Sequence, residues 1–193
     1  MVPAERAVLD GLAPDGGLYV PERFPSLPEG LLDPGAEALW ADISFAVLEP
    51  FLPSFPRDGL RAAVDRASAC FPGADAAPLA FAGDRPILEL FHGPTLAFKD
   101  VALSLMGGLL DLSRRAAGDG KELLVLTATS GDTGKAALSG LAGLAGLRVL
   151  VFYPAEGVSG VQRLQMLTHA AAGASVVGVR GNFDDAQRGV KAL

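Results

Sequence analysis

The chain has 193 residues, half of them hydrophobic and a fifth charged. That is enough apolar material for one packed domain or a little more, and it excludes global disorder. A net charge of −6 and an isoelectric point near 4.9 argue against a nucleic-acid surface. The single cysteine, Cys70, excludes an internal disulfide, and His92 and His169 alone make no Cys/His metal cluster.

Residues 1–11, MVPAERAVLDG, bring charges early and lack the apolar run of a signal peptide. The run 13–28, APDGGLYVPERFPSLP, reads as turns and short extended pieces. Helices are expected over 35–51 and 57–71, the second from Leu60, Val64 and Ala67 on one face. Cys70, near its end, reads as a small core residue. From residue 86 the composition changes. Strands are expected at 86–90, 122–129, 147–153 and 174–180, and helices at 100–117, 133–146 and 158–172, with a last one starting near Asp184. The runs 123-LLVL-126 and 149-VLVF-152 are continuously apolar, as in strands buried on both faces. Strand and helix in alternation predict an α/β fold, a parallel sheet with flanking helices and right-handed crossovers. The expected organisation is a proline-rich, helical segment over 1–85 and an α/β portion over 86–193. The most apolar stretch, 136–147, is broken by Gly140, Gly143 and Gly146. It falls short of the ~20 apolar residues that span a bilayer, so a cytoplasmic protein with no membrane partner is expected.

Two stretches carry chemistry. In 90-LFHGPTLAFKDVALSLMGGLL-110 an irregular run gives way to a helix with Val101, Ala102, Leu105, Met106, Leu109 and Leu110 on one face. Asp100 is the expected N-cap, which places Lys99 at the helix mouth. A lysine there is either a solvated side chain or an amine that forms a Schiff base with an aldehyde. The second role needs a neutral amine, and an apolar surround and a positive helix end both favour one. Phe98 is expected in the core and His92 as a hydrogen-bonded loop residue.

The loop 127-TATSGDTGKAA-137 follows an apolar strand and opens a helix. Its small residues let backbone amides approach a ligand, its hydroxyls add donors, and the helix N-terminus favours an anion such as a carboxylate or phosphate. The plainer alternative is a helix start capped by Ser130 or Asp132. The motif 131-GDTGKA-136 is not a P-loop: two residues, not four, separate the glycines, and Ala136 follows Lys135.

Taken together, the stretches 91-FHGPTLAFKD-100 and 128-ATSGDTGKAA-137 resemble the cofactor-lysine segment and the following loop of the threonine synthase family. The stretches 10-DGLAPDGGLYVPE-22, 159-SGVQRLQMLT-168 and 181-GNFDDAQ-187 resemble further family segments in the same order. The resemblance implies a pyridoxal-phosphate (PLP) enzyme of the tryptophan-synthase-β-like fold, fold type II. It implies conversion of O-phospho-L-homoserine and water to L-threonine and phosphate. Lys99 would then hold the cofactor as a Schiff base and shuttle protons. Thr129, Ser130, Gly131, Asp132 and Thr133 would line the substrate. Asp132 would also stand near the cofactor's 3-hydroxyl, where relatives carry Asn, and Asn182 is a further substrate-facing candidate. Gln162 and Gln165 are expected to be surface or structural residues.

Two departures from the family qualify these expectations. A short strand before residues 10–22 is not recognisable, and the family's glycine-rich cradle for the cofactor phosphate would come after Leu193. The chain therefore reads as an N-terminal portion, expected to bind the cofactor poorly alone, to turn over nothing, and to self-associate as a homo-oligomer through apolar faces left without a partner. The readings that compete are another fold type II lyase, a dehydratase or phospho-lyase, and a truncated binding module without catalysis.

Overall fold

The two continuously apolar runs lie in neighbouring strands of one parallel sheet. The computed structural model describes residues 1–31, 39–73, 75–118, 120–169 and 171–192. Strands β3 (Leu123–Ala128), β4 (Leu147–Pro154) and β5 (Ala174–Val179) pair in parallel in the order β3-β4-β5. The register sets Leu123 beside Leu147 and Val149 beside Ala174. Along the central β4 the side chains alternate: Leu147, Val149, Val151 and Tyr153 are buried, whereas Arg148 is exposed. The buried set packs with Leu138 and Leu141 of helix α5 (Asp132–Leu141) and Met166 of α6 (Gly160–Leu167). Helix α7 (Phe183–Ala192) packs on β3 and β4. The α/β fold with a parallel sheet and flanking helices stands as expected.

Several boundaries move for local reasons. Helix α5 stops at Leu141, short of the expected 146, because Gly143 and Gly146 take φ of +82° and +78° and cannot continue it. Helix α6 runs only to Leu167; Ser159 and Gln162 start it with a reciprocal capping box. The expected strand 86–90 is not part of the parallel sheet. It is β2 (Arg85–Leu88), paired antiparallel with β1 (Leu79–Ala82) around the two-residue turn Gly83–Asp84. Gly83 has φ +68°, so the turn, not a crossover, decides the pairing.

The N-terminal third holds α1 (Ala4–Asp10), α2 (Trp40–Leu48) running into a 3-10 turn at Glu49–Phe51, and α3 (Arg57–Ser68). Helix α1 is not among the expected elements; it lies within residues 1–11, which carry no helix expectation from the sequence. Residues 35–38 of the expected 35–51 helix lie outside the described residues. Phe45, Phe55, Leu60 and Val64 form a second core with half-buried Leu105, Leu109 and Leu112 of α4 (Lys99–Ala117). Cys70 is exposed, not in the core, because α3 ends at Ser68 and leaves it beyond the helix.

Helix α4 is the link between the two cores, packing on α1 and α3 and, on another side, on α5. Apart from Leu110, its buried positions are small or polar, namely Asp100, Ser104, Gly107, Gly108 and Ser113, whereas the expected face members Ala102 and Met106 are exposed. Close backbone approach explains this. A Cβ on Gly107 would lie 2.4 Å from the Gly140 carbonyl oxygen, and one on Gly140 would lie 2.3 Å from that of Leu103. Two helix starts, those of α4 and α5, are thereby held in fixed relation.

Candidate active site

The lysine turn is built around a buried carboxylate. Lys99 is the first residue of α4, and Phe98 occupies the N-cap position without a side-chain cap. Asp100 is therefore not the expected N-cap. It lies inside the first turn, 1% exposed, and reaches back to residues 95–97. Its Oδ2 accepts from the Thr95 amide at 2.8 Å and the Ala97 amide at 3.4 Å, and its Oδ1 accepts from the Thr95 hydroxyl at 2.6 Å. Gly93 permits the approach, since a Cβ there would stand 2.4 Å from that of Asp100. Leu96 closes the turn at φ +60°, in the left-handed region that non-glycine residues seldom adopt.

Lys99 is half-buried, and its Nζ lies 4.0 Å from the centroid of the Phe98 ring, within cation–π range. Phe98 is 58% exposed, so the core placement expected for it does not hold; it shields the amine instead. His92 is a hydrogen-bonded loop residue, its Nε2 2.7 Å from Glu89 Oε2. A cavity of about 470 Å³ opens beside the lysine, with Leu90, Val101, Ala102 and Leu103 as apolar walls and Thr133 opposite Lys99's helix. Thr133 comes from the second loop, so the structure brings the two chemistry-bearing stretches to one cavity.

That second loop is organised by Thr129, which is 1% exposed. Its Oγ1 accepts from the amides of Gly131 and Gly134, both at 2.9 Å. It thus satisfies the free amides at the start of α5, a role expected of Ser130 or Asp132. Ser130 is exposed, and Gly131 holds the N-cap position with φ +142°. The Asp132 carboxylate receives Gln162 Nε2 at 2.8 Å and Lys135 Nζ at 3.1 Å. These two donors, Gln162 foremost, hold Asp132 below the usual carboxylate range, with a further contribution from the charge of Lys99. Lys135 is itself buried, 7% exposed.

Asn182 follows β5 and starts α7. Its Oδ1 accepts from the Asp185 amide at 3.0 Å, and its own amide donates to Asp185 Oδ2 at 2.9 Å. None of these bonds reaches Lys99 or the 129–133 loop. The 129–133 loop and the Asn182 turn do lie beyond the carboxyl ends of the parallel strands β3 and β5, where open α/β sheets bind ligands. Sequence reasoning missed Thr95, Asp100, Lys135 and Gln162 as parts of the site. The spacing of Ser159 and Gln162 signals a capping box, but nothing local signals that Gln162 also reaches Asp132. Among the described residues no cluster of His, Cys, Asp or Glu could hold a metal ion. Among them, too, no helix is long and apolar enough to cross a membrane.

A family model described as "Threonine synthase N terminus" matches residues 1–68. Threonine synthase of Schizosaccharomyces pombe is 39% identical over 98% of this chain and 38% of its own length. That of Pseudomonas aeruginosa is 39% identical over 97% of this chain and 40% of its own. A PLP-bound threonine synthase from Brucella melitensis superposes with a TM-score of 0.89 at 34% identity, over 99% of this chain and 41% of that one. The chain spans about two-fifths of the length of the relatives it matches. In sequence and in fold, nearly the whole chain is therefore similar to the N-terminal portion of the threonine synthases.

Proposed function

We propose that this chain carries the cofactor lysine and the substrate loop of a threonine synthase, a PLP-dependent carbon–oxygen lyase. The reaction would convert O-phospho-L-homoserine and water to L-threonine and phosphate. One observation carries the reading: Lys99 and Thr133, from two separate helix starts, face one apolar cavity of about 470 Å³. Apolar walls suit a flat aromatic aldehyde, and an amine at the cavity mouth is placed to bond its carbonyl carbon. The residues present fit the cofactor's reactive end.

When bound, PLP supplies an electron sink for carbanion chemistry beside the substrate amine. The chain's own residues would do the rest. Lys99 Nζ would hold the aldehyde carbon covalently and, once displaced by the substrate amine, carry protons to and from the α and β carbons. The amides and hydroxyls of Thr129, Ser130, Gly131 and Thr133 at the start of α5 favour an anion, the substrate's carboxylate or phosphate. Asp132, held ionised by Gln162 and Lys135, would stand near the cofactor's 3-hydroxyl. Leu90, Val101 and Leu103 would exclude water from the reacting face. Asn182 would join as a further substrate-facing side chain beyond β5. A cytoplasmic location goes with this role. Self-association goes with apolar faces such as Phe81 and Leu88 on the β1–β2 hairpin, both exposed.

The test is a titration with PLP, followed by borohydride reduction and peptide mapping, beside a Lys99→Ala variant. The expected result is a visible absorbance band and a reduced adduct mapped to Lys99, both lost in the variant. An adduct spread over surface lysines, unchanged by Lys99→Ala, would sink the assignment.

A further inference from the structure

We propose that Gln162 and Gln165 are positioning residues that, from one face of α6, tie the lysine turn and the 129–134 loop to a common strut. The inference rests on the functional reading above for its meaning, but the ties themselves stand on geometry. The two side chains are three residues apart on a helix, hence neighbours on one face. Gln162 Nε2 donates to Asp132 Oδ1 at 2.8 Å, across 30 positions of sequence. Gln165 Nε2 donates to the Thr95 carbonyl at 3.4 Å, across 70 positions. Thr95, four residues before Lys99, is the residue that Asp100 grips. One helix therefore bonds to both halves of the site.

The strut is itself anchored. Met166, next to Gln165, has no exposure and sits in the main core, where its Sδ would lie 3.1 Å from a Cβ on Gly134. The capping box of Ser159 and Gln162 fixes the first turn of α6. Gly131 leaves the space that Gln162 fills: a Cβ there would meet the glutamine's amide carbon at 2.4 Å. Gln165 supplies an independent sign. Its Oε1 is buried and has no hydrogen-bond partner among the described residues. Burying an unsatisfied acceptor is costly, and an apolar side chain at 165 would pack without that cost. The amide is explained by what its nitrogen holds.

The experiment compares Gln162→Met, Gln165→Met and Ser159→Ala with the parent chain. Methionine keeps the length of glutamine and removes the amide. Ser159→Ala weakens the cap of α6 and leaves both ties in place. Two quantities are read: amide hydrogen exchange, and borohydride-trapped PLP at Lys99 as a function of PLP concentration. Exchange at Gly131 and Gly134 is expected to accelerate about tenfold in Gln162→Met, and at Thr95 and Ala97 in Gln165→Met. Ser159→Ala should speed exchange only in the first turn of α6. Trapping at Lys99 should need more PLP to saturate in Gln162→Met and in Gln165→Met, and should be unchanged in Ser159→Ala. Unchanged loop exchange in both glutamine variants overturns the proposal, and so does a Ser159→Ala pattern that reproduces Gln162→Met. If the exchange pattern holds while no adduct forms at Lys99 in any chain, the ties stand and the cofactor reading falls.

Discussion

Asp100 grips Thr95 twice, accepting from its amide at 2.8 Å and from its hydroxyl at 2.6 Å. The carboxylate is 1% exposed, so these bonds are shielded from water. They hold the turn whose next step is Lys99. Asp100→Ala removes the acceptor of three buried donors, the amide and hydroxyl of Thr95 and the amide of Ala97. Bonds to a charged group are worth about 1.5–3 kcal/mol each, so a loss of about 3 kcal/mol in urea unfolding is expected. Asp100→Asn keeps one acceptor oxygen and should fall between. Equal midpoints for all three chains would show that the turn does not depend on the carboxylate.

Thr129 plays the corresponding part in the other loop, its hydroxyl serving the amides of Gly131 and Gly134. Thr129→Val keeps the shape and deletes the acceptor, and a lost cap costs about 1 kcal/mol. Thr129→Ser keeps the oxygen and loses only a buried methyl group. Thermal unfolding should rank threonine first, serine next and valine last. Serine falling below valine would mean that the methyl contact, not the cap, matters at this position.

The two site loops differ from the rest of the fold in how far the sequence reveals them. The parallel strands were legible from the apolar runs 123-LLVL-126 and 149-VLVF-152 alternating with helical runs. The burial on both faces expected of them does not hold: Leu124 is 53% exposed, and β4 buries only alternate side chains up to Tyr153. Lys99 and the 129–133 loop were legible as a helix mouth and a hydroxyl-rich helix start. Their partners were not. Asp100 next to a helix start looks like a cap, and only its distance to Thr95 shows that it bonds backward. Gln162 looks like half of a capping box, and its second bond spans 30 positions. Strand β2 was assigned to the wrong sheet because a short apolar run does not carry its pairing partner with it. Cys70 was misplaced by a helix that stops two residues before it. Local pattern fixes elements, whereas contacts distant in sequence fix what those elements hold.

Asp132 gives a pH prediction. Gln162 and then Lys135 donate to its carboxylate and hold it below the ordinary carboxylate value. A depressed folded-state value means stability that is fully present above the unfolded value, about 3.9, and is lost as pH falls through the folded one. Carboxyl carbon shifts of labelled Asp132 should therefore titrate below that of a free aspartate. In Gln162→Met the midpoint should rise towards the ordinary value. A midpoint that does not move on losing Gln162 would assign the depression to Lys135 and Lys99.

The crossing of α4 and α5 yields the last prediction. Gly140 faces the backbone of Leu103, and an added Cβ would stand 2.3 Å from its carbonyl oxygen and 2.6 Å from its carbonyl carbon. Backbone atoms cannot rotate aside as a side chain can, so Gly140→Ala must push the two helices apart. Overpacking of this kind costs about 1–3 kcal/mol, and helix propensity returns only about 1 kcal/mol of it. The displaced helices are those that begin with Lys99 and just before Thr133, so PLP trapping at Lys99 should weaken together with stability. Gly189 provides the control. It lies inside α7 with nothing within 4 Å of an added Cβ, so Gly189→Ala should gain about 1 kcal/mol by propensity alone and leave trapping unchanged. A Gly140→Ala chain as stable as Gly189→Ala would mean that α4 and α5 are not held in the close contact on which the cavity depends.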